Sequence, residues 1–491
     1  MRRFCLVMSS LMMSSLMVAC AADDAAQSVS SDCADDSCLD TSAGPAAEDA
    51  LSSEELRRRR QRDAGNANDS GASSVGVADG GAATTGSKDA GTVADAGTVA
   101  DAGIATSQWV MGYYVGYQKD AYPIAEIDWS GLTHIVLGPL VVRADGSFDT
   151  TWFGFGSDAD GVAFAKQFSA AAHAHGVKAV LMLGGAGVSE QVKPAMAANK
   201  NAFVSALVGL NRSLGFDGID LDVEASNFSL DDTIALAQGL RSAAPGMVLT
   251  YPGGSVQLGQ AVDPRLPTLA KSLDRFNIQS YQGGSHGMFT GGNSVGKYFD
   301  SWFYSALGGV SDLHRYAIDH ALGQLAAAGI PKAKLGMGVG FYAGCYRTPD
   351  TTVPGGADVS GPRMSAYAPS EWCWDCGVGG GDNNFPLSAF YAGSSLLANS
   401  SAGEQKWDAE AQEPYLSFAN AKAESRCGGN TRYVVYEDER SLIAKGAFSR
   451  AQGYGGIIVW TIQQGYLPAN AAGGRARNAL MQALRRGFIA P

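Results

Sequence analysis

Three carboxylates stand at every second position in the segment Gly215-Phe-Asp-Gly-Ile-Asp-Leu-Asp-Val-Glu224. They are Asp220, Asp222 and Glu224, interleaved with Ile219, Leu221 and Val223. On a β-strand that period sends the carboxyls to one face and the apolar groups to the other. If the carboxyl face is a packed interior, charge is penalised by burial and by mutual repulsion, so protons must be shared and hydrogen bonds satisfied. At least one carboxyl then stays protonated near neutral pH and can protonate a leaving oxygen. The bland alternative is a solvated edge strand with its polar side facing water. An apolar run following a Gly-Phe-Asp-Gly turn in mid-chain fits that poorly.

Positioning such a column takes a scaffold, and the chain beyond Trp109 supplies one. All eight Trp and all eighteen Tyr lie there. Strands are expected at Val110–Tyr114, His134–Leu137, Ala179–Leu183, Gly218–Val223, Met247–Tyr251, Phe276–Tyr281, Leu335–Val339 and Gly456–Trp460. Helical patterns fall between them at Gly161–His175, Lys200–Leu214, Asp231–Ala243 and Leu313–Ala328, with another at Arg475–Arg486. Eight β-runs alternating with helices predict an α/β fold, a TIM (β/α)8 barrel with its active site at the carboxyl ends of the strands. The last interval is too long for one helix and its loops. It predicts an α+β insertion between strands 7 and 8, at about 343–440 of a catalytic domain spanning 107–491.

Residues 1–20 have a positive end at Arg2 and Arg3, an apolar centre and small residues before Cys20, as an export signal does. Cys20 in that place resembles the lipobox of bacterial lipoproteins, although Met17 stands where Leu is usual. The resemblance implies lipidation at Cys20 and a membrane anchor. Between Cys20 and about Thr106 there is no Trp, Tyr or Phe, and DAGTVA occurs twice in succession. That composition buries too little apolar area to offset ordering, so 21–106 is expected to be a disordered acidic tether. The chain carries 36 Lys+Arg and 48 Asp+Glu, net −12. The tether holds sixteen acidic and six basic residues, leaving 107–491 at only −4. Such a body lacks the cationic surface that nucleic acid needs.

Cys345, Cys373, Cys376 and Cys427 all fall in the insertion. In an oxidising compartment they read as two disulfides with three possible connectivities. The Cys373-Trp-Asp-Cys376 spacing also suits zinc, but a second ligand pair is missing, so no metal site is expected. His173 and His175 point in different directions on a helix and make a poor metal pair. His286, Trp372 and Trp374 are loop residues that either line a cleft or serve structure.

The pattern D-x-x-D-x-D-x-E at Asp217, Asp220, Asp222 and Glu224 resembles the signature of glycoside hydrolase family 18, the chitinases and their relatives. Trp109–Tyr114, Leu132–Ile135, Leu335–Tyr342 and Gly455–Trp460 are similar to its first, second, seventh and eighth strands. Trp407-Asp408, Pro414-Tyr415 and Tyr436–Lys445 look like the α+β subdomain of its deep-cleft members. The resemblance implies a retaining hydrolysis of β-1,4-linked N-acetylglucosamine polymers without an enzyme nucleophile or a cofactor. Glu224 would protonate the glycosidic oxygen and later act as base toward water. Asp222 would orient the substrate's acetamido N–H, sharing a proton with Asp220, and Tyr281 would donate to the acetamido oxygen. Trp460 would be the floor beneath the sugar, with Gln279, Gln282, Tyr114 and Asp217 among the substrate-binding residues.

Three departures bear on preference and rate. Met182 replaces the small hydroxyl of the third-strand motif, Gln282 replaces Asp or Asn, and Val136-Leu-Gly-Pro139 lacks the usual aromatic. The rival readings are an endo-β-N-acetylglucosaminidase acting on N-glycans or peptidoglycan, and a chitin-binding lectin that has lost catalysis.

Overall fold

In the computed structural model the described residues are 108–281, 305–310, 317–347, 384–393, 395–422 and 431–489. The leader, the tether, Cys20, Gln282, His286, Trp372, Cys373, Trp374, Cys376 and Cys427 lie outside them, as does the side chain of Cys345.

Eight parallel strands close on themselves. In chain order they are β1 (Trp109–Val115), β2 (His134–Val142), β3 (Lys178–Gly184), β4 (Gly218–Asp222), β5 (Val248–Gly253), β6 (Arg275–Ile278), β7 (Leu335–Gly340) and β8 (Gly456–Trp460). Each pairs with the next, and β1 pairs with both β2 and β8, which closes the barrel. Residues 109–115 and 134–142 are buried throughout, the near-continuous apolar run that a parallel strand covered on both faces requires. Alternation then separates two cores. Met111, Tyr113, Val136, Val180, Met182 and Ile458 fill the barrel. Val110, Tyr114, Ile135, Leu137, Leu181 and Ile219 pack outward against the helices.

Helices Asp158–Ala174, Val192–Ser213, Leu230–Ala243, Ile318–Ala327 and Glu439–Gln452 cover the outside. The helix leading into β4 stops at Gly215, whose φ of +77° a side chain would resist. Ser229 and Asp232 form a capping box that starts the helix leaving β4. These two ends fix the strand that carries the carboxylates. Among the described residues no helix is long and apolar enough to cross a membrane.

Two of the expected strands end early. β4 stops at Asp222, so Val223 and Glu224 leave the ladder. β6 stops at Ile278 because Ser280 turns its hydroxyl onto β7, donating to the Gly338 carbonyl and accepting from the Gly338 N–H, both at 2.8 Å.

Between β7 and β8 lies a five-stranded antiparallel sheet, ordered Asn384–Pro386, Tyr342–Arg347, Thr431–Val435, Glu413–Lys422, Gln405–Asp408. A buried ionic cluster ties it to a barrel helix. Lys445 Nζ, fully buried on helix Glu439–Gln452, lies 2.7 Å from Glu413 Oε1 and 2.5 Å from Glu437 Oε1. Ser305 Oγ donates to Glu413 Oε1 at 2.7 Å and also reaches Glu437. Burial pushes Glu413 up to about 8 although Lys445 opposes this. The folded value exceeds the unfolded one, so the folded state binds more protons between about 4.5 and 8. Stability therefore falls as pH rises through that window. Glu413→Gln, which keeps the shape and is always neutral, is expected to flatten that part of the fall. Thermal unfolding from pH 5 to pH 9 checks it, and equal slopes in the two proteins would contradict it.

Candidate active site

The carboxylate column rises along β4 toward the carboxyl end of the barrel. Asp220 is fully buried. Tyr113, pointing inward from β1, donates from Oη to Asp220 Oδ2 at 2.8 Å, and Thr250 on β5 donates from Oγ1 to Oδ1. Burial pushes Asp220 up to about 6, while the two hydroxyl donors hold it down. Asp222, 3% exposed, receives much weaker support, a 3.4 Å bond from Gln279 Nε2 to Oδ1. Burial, then the charges of Glu224 and Asp220, raise it well above the ordinary carboxylate range, and its side chain is hydrogen-bonded to Glu224. Burial and the neighbouring charges thus favour the protonated form of Asp222. The sequence reading has Asp222 sharing a proton with Asp220, whose charge is among the causes that raise it, while the two Asp220 oxygens also accept hydroxyl bonds from Tyr113 and Thr250.

Glu224 stands past the strand end with an exposed side chain. Gln279 Nε2 donates to its Oε1 at 3.1 Å, and its N–H donates to Ser189 Oγ at 3.3 Å. One amide thus holds both upper carboxyls. Gln279 is itself fixed by its N–H to the Gly253 carbonyl at 2.8 Å. Tyr281, 4% exposed, keeps its phenolic proton because burial and then the Asp222 charge raise it well above 10. Tyr342 Oη donates to the Tyr281 carbonyl at 3.0 Å and holds that turn in place. Trp460, at the end of β8, is partly exposed and lies 5.5 Å from the Tyr113 ring at 53°. Asp220, Asp222, Glu224, Gln279, Tyr281 and Trp460 are thus brought together.

Two expected substrate-binding residues are placed elsewhere. Tyr114 faces out of the barrel, its ring 5.0 Å from Phe168 and its hydroxyl donating to the Tyr122 carbonyl at 2.9 Å. The period-two alternation gives the interior to its neighbour Tyr113. Asp217 precedes β4, at the opposite end of the barrel from Glu224. It accepts the Ala179 N–H at 2.8 Å and pairs with His173 Nε2 at 2.8 Å, a structural role at the amino end. His175 instead stacks on Trp129, with centroids 5.4 Å apart.

Sequence reasoning did not single out Tyr113, Thr250, Tyr251 or Ser189. Strand alternation is a signal for the first two. Tyr251, pushed up to about 12 by burial and then by Asp222 and Glu224, carries no local signal. Ser189 supplies a hydroxyl near the column, but it serves backbone, donating to the Gly185 carbonyl at 2.7 Å. Among the described residues no three His, Cys, Asp or Glu are grouped to hold a metal.

Residues 109–465 match the family described as Glycosyl hydrolases family 18. A "chitinase-like effector" of Moniliophthora perniciosa is 25% identical over 78% of this chain and 88% of its own length. A "probable endochitinase" of Caenorhabditis elegans is 24% identical over 55% of this chain, and this chain spans only 40% of that protein. The barrel superposes on the group IV chitinase of Ostrinia furnacalis, solved in complex with allosamidin, with a TM-score of 0.58 at 19% identity, covering 77% of this chain and 97% of the other.

Proposed function

This chain belongs to family 18 of the glycosyl hydrolases, and from that premise we propose that it is a chitinase cleaving β-1,4-linked N-acetylglucosamine chains with Glu224 as acid and base. The observation that carries the reading is the graded column, in which Asp220 is buried and hydroxyl-bonded, Asp222 is buried and held above the ordinary carboxylate range, and Glu224 stands exposed at the top. When a sugar binds, its acetamido N–H takes Asp222 as acceptor and the shared proton passes to Glu224. Glu224 donates that proton to the glycosidic oxygen as the bond to the anomeric carbon breaks. The acetamido carbonyl oxygen, steered by the Tyr281 hydroxyl, attacks that carbon from the opposite face and forms an oxazolinium ion. Glu224, now a carboxylate, takes a proton from water, which attacks the anomeric carbon and reopens the ring with the original configuration. Asp222 stabilises the positive charge between these steps, and the Trp460 face carries the sugar.

A second reading is a chitin-binding lectin that has lost catalysis, and a relative named a "chitinase-like effector" rather than a chitinase is in line with a non-catalytic role. An endo-glycosidase acting on N-glycans would share the chemistry. Mass spectrometry of products from chitohexaose and from a high-mannose glycopeptide separates the three. Release of chitobiose or chitotriose is expected. Cleavage of the glycopeptide alone would replace the substrate, and binding without cleavage would replace the activity. Export and an anchor at Cys20 belong to the same proposal; a Cys20→Ala chain still recovered with membranes would remove the anchor.

A further inference from the structure

Met182 points into the barrel from β3, in register with Asp220 and 2% exposed. Its room comes from a neighbour without a side chain: a Cβ on Gly138 of β2 would fall 2.6 Å from the Met182 sulfur and 2.8 Å from its Cβ. At the far end, a Cβ on Gly185 would fall 2.8 Å from the Met182 methyl carbon and 3.9 Å from Asp222 Oδ2. The thioether therefore fills the gap left at Gly138, and its methyl and the Asp222 carboxyl border the same small space at Gly185. Gly138, Met182 and Gly185 are one complementary set, in which volume absent from β2 is restored by β3.

Methionine has no donor to offer a carboxylate. Asp220 meets two hydroxyls, from Tyr113 and Thr250, whereas the space at Gly185 that Asp222 borders on its β3 side is taken by the Met182 methyl. The titratable groups that reach Asp222 are Asp220 and Glu224 from its own segment, Tyr113 from β1, Tyr251 from β5 and Tyr281 after β6. The Gln279 amide adds one long bond.

We propose that Met182 is a positioning residue of the acid pair, closing the β3 flank of Asp222 to water and to hydroxyl donors and so holding the shared proton between Asp222 and Glu224. Its kinetic consequence rests on the hydrolytic reading above; its effect on the proton does not. If that proton is lost, Glu224 has none to donate, so the alkaline limb of kcat/KM reports it.

The test uses Met182→Gln, which keeps the volume and brings an amide donor, with Met182→Leu as the apolar control. Met182→Ser stands in if the Gln protein does not fold. Two quantities are followed against pH: kcat/KM on chitohexaose, and the infrared band of the protonated carboxyl, assigned by its loss in Asp222→Asn. With Gln or Ser, both midpoints are expected to move down by about one pH unit, the scale of a new hydrogen bond to a carboxylate. With Leu, both are expected to stay with the wild type. Unmoved midpoints in the folded Gln or Ser protein, or an equal shift in the Leu protein, would overturn the proposal. If the wild type cuts nothing, the hydrolytic reading fails, while the infrared titration still decides the role of Met182.

Discussion

Replacing Glu224 by Gln is expected to lower kcat on chitohexaose by on the order of 10³-fold, within the range that one positioned acid-base group supplies. The same carboxyl acts twice, as acid toward the leaving oxygen and as base toward water, and an amide does neither. KM is expected to change little. Glu224 is exposed past the end of β4, the amide has the same shape, and Gln279 can still bond its oxygen. Initial rates by reducing-end assay, with binding followed by tryptophan fluorescence from Trp460, separate the two parameters. A kcat within tenfold of the wild type would remove Glu224 from the chemistry.

Lys445→Ala is expected to cost about 3–5 kcal/mol of folding stability, the scale for breaking a buried ion pair from one side. Lys445 is fully buried between Glu413 and Glu437, which are each 2% exposed. Without the ammonium, Glu413 and Glu437 are left with the Ser305 hydroxyl, which reaches both, and the Ser441 hydroxyl on Glu437. The lost partner joined a sheet strand, Glu413–Lys422, to a helix of the barrel, so the damage reaches the inserted sheet. Urea denaturation of both proteins measures the difference. A cost below about 1 kcal/mol would place Lys445 among the ordinary exposed pairs.

The barrel was legible because its signals are local. The run Gly456–Trp460 is a strand with the expected bounds, and the period of Asp220 and Asp222 put both on the inner face of β4. Errors arise where the outcome depends on a neighbouring strand. Tyr113 and Tyr114 are chemically alike, and only the closure of β1 onto β2 and β8 decides that Tyr113 meets Asp220. Asp217 belongs to the same motif as Glu224, yet it lies before the strand and Glu224 after it, so one segment serves both ends of the barrel.

Residues distant in sequence were harder still. Met182 and the stretch Val136-Leu-Gly-Pro139 each depart from the family pattern and read separately as losses; on neighbouring β2 and β3, Met182 fills the space that Gly138 leaves. Nothing in the spacing of Glu413, Glu437 and Lys445 announces that they share a buried site, because a helix, a sheet strand and a loop meet there only after folding.

The central claim is that the substrate's own acetamido group displaces the leaving sugar, with Glu224 as acid and Asp222 as its support. Proton NMR of the anomeric signals during the first minutes of chitohexaose hydrolysis tests it most directly. The account predicts that new reducing ends appear as the β-anomer and convert to α only by mutarotation. Products that appear first as the α-anomer would mean direct attack by water, and would contradict it.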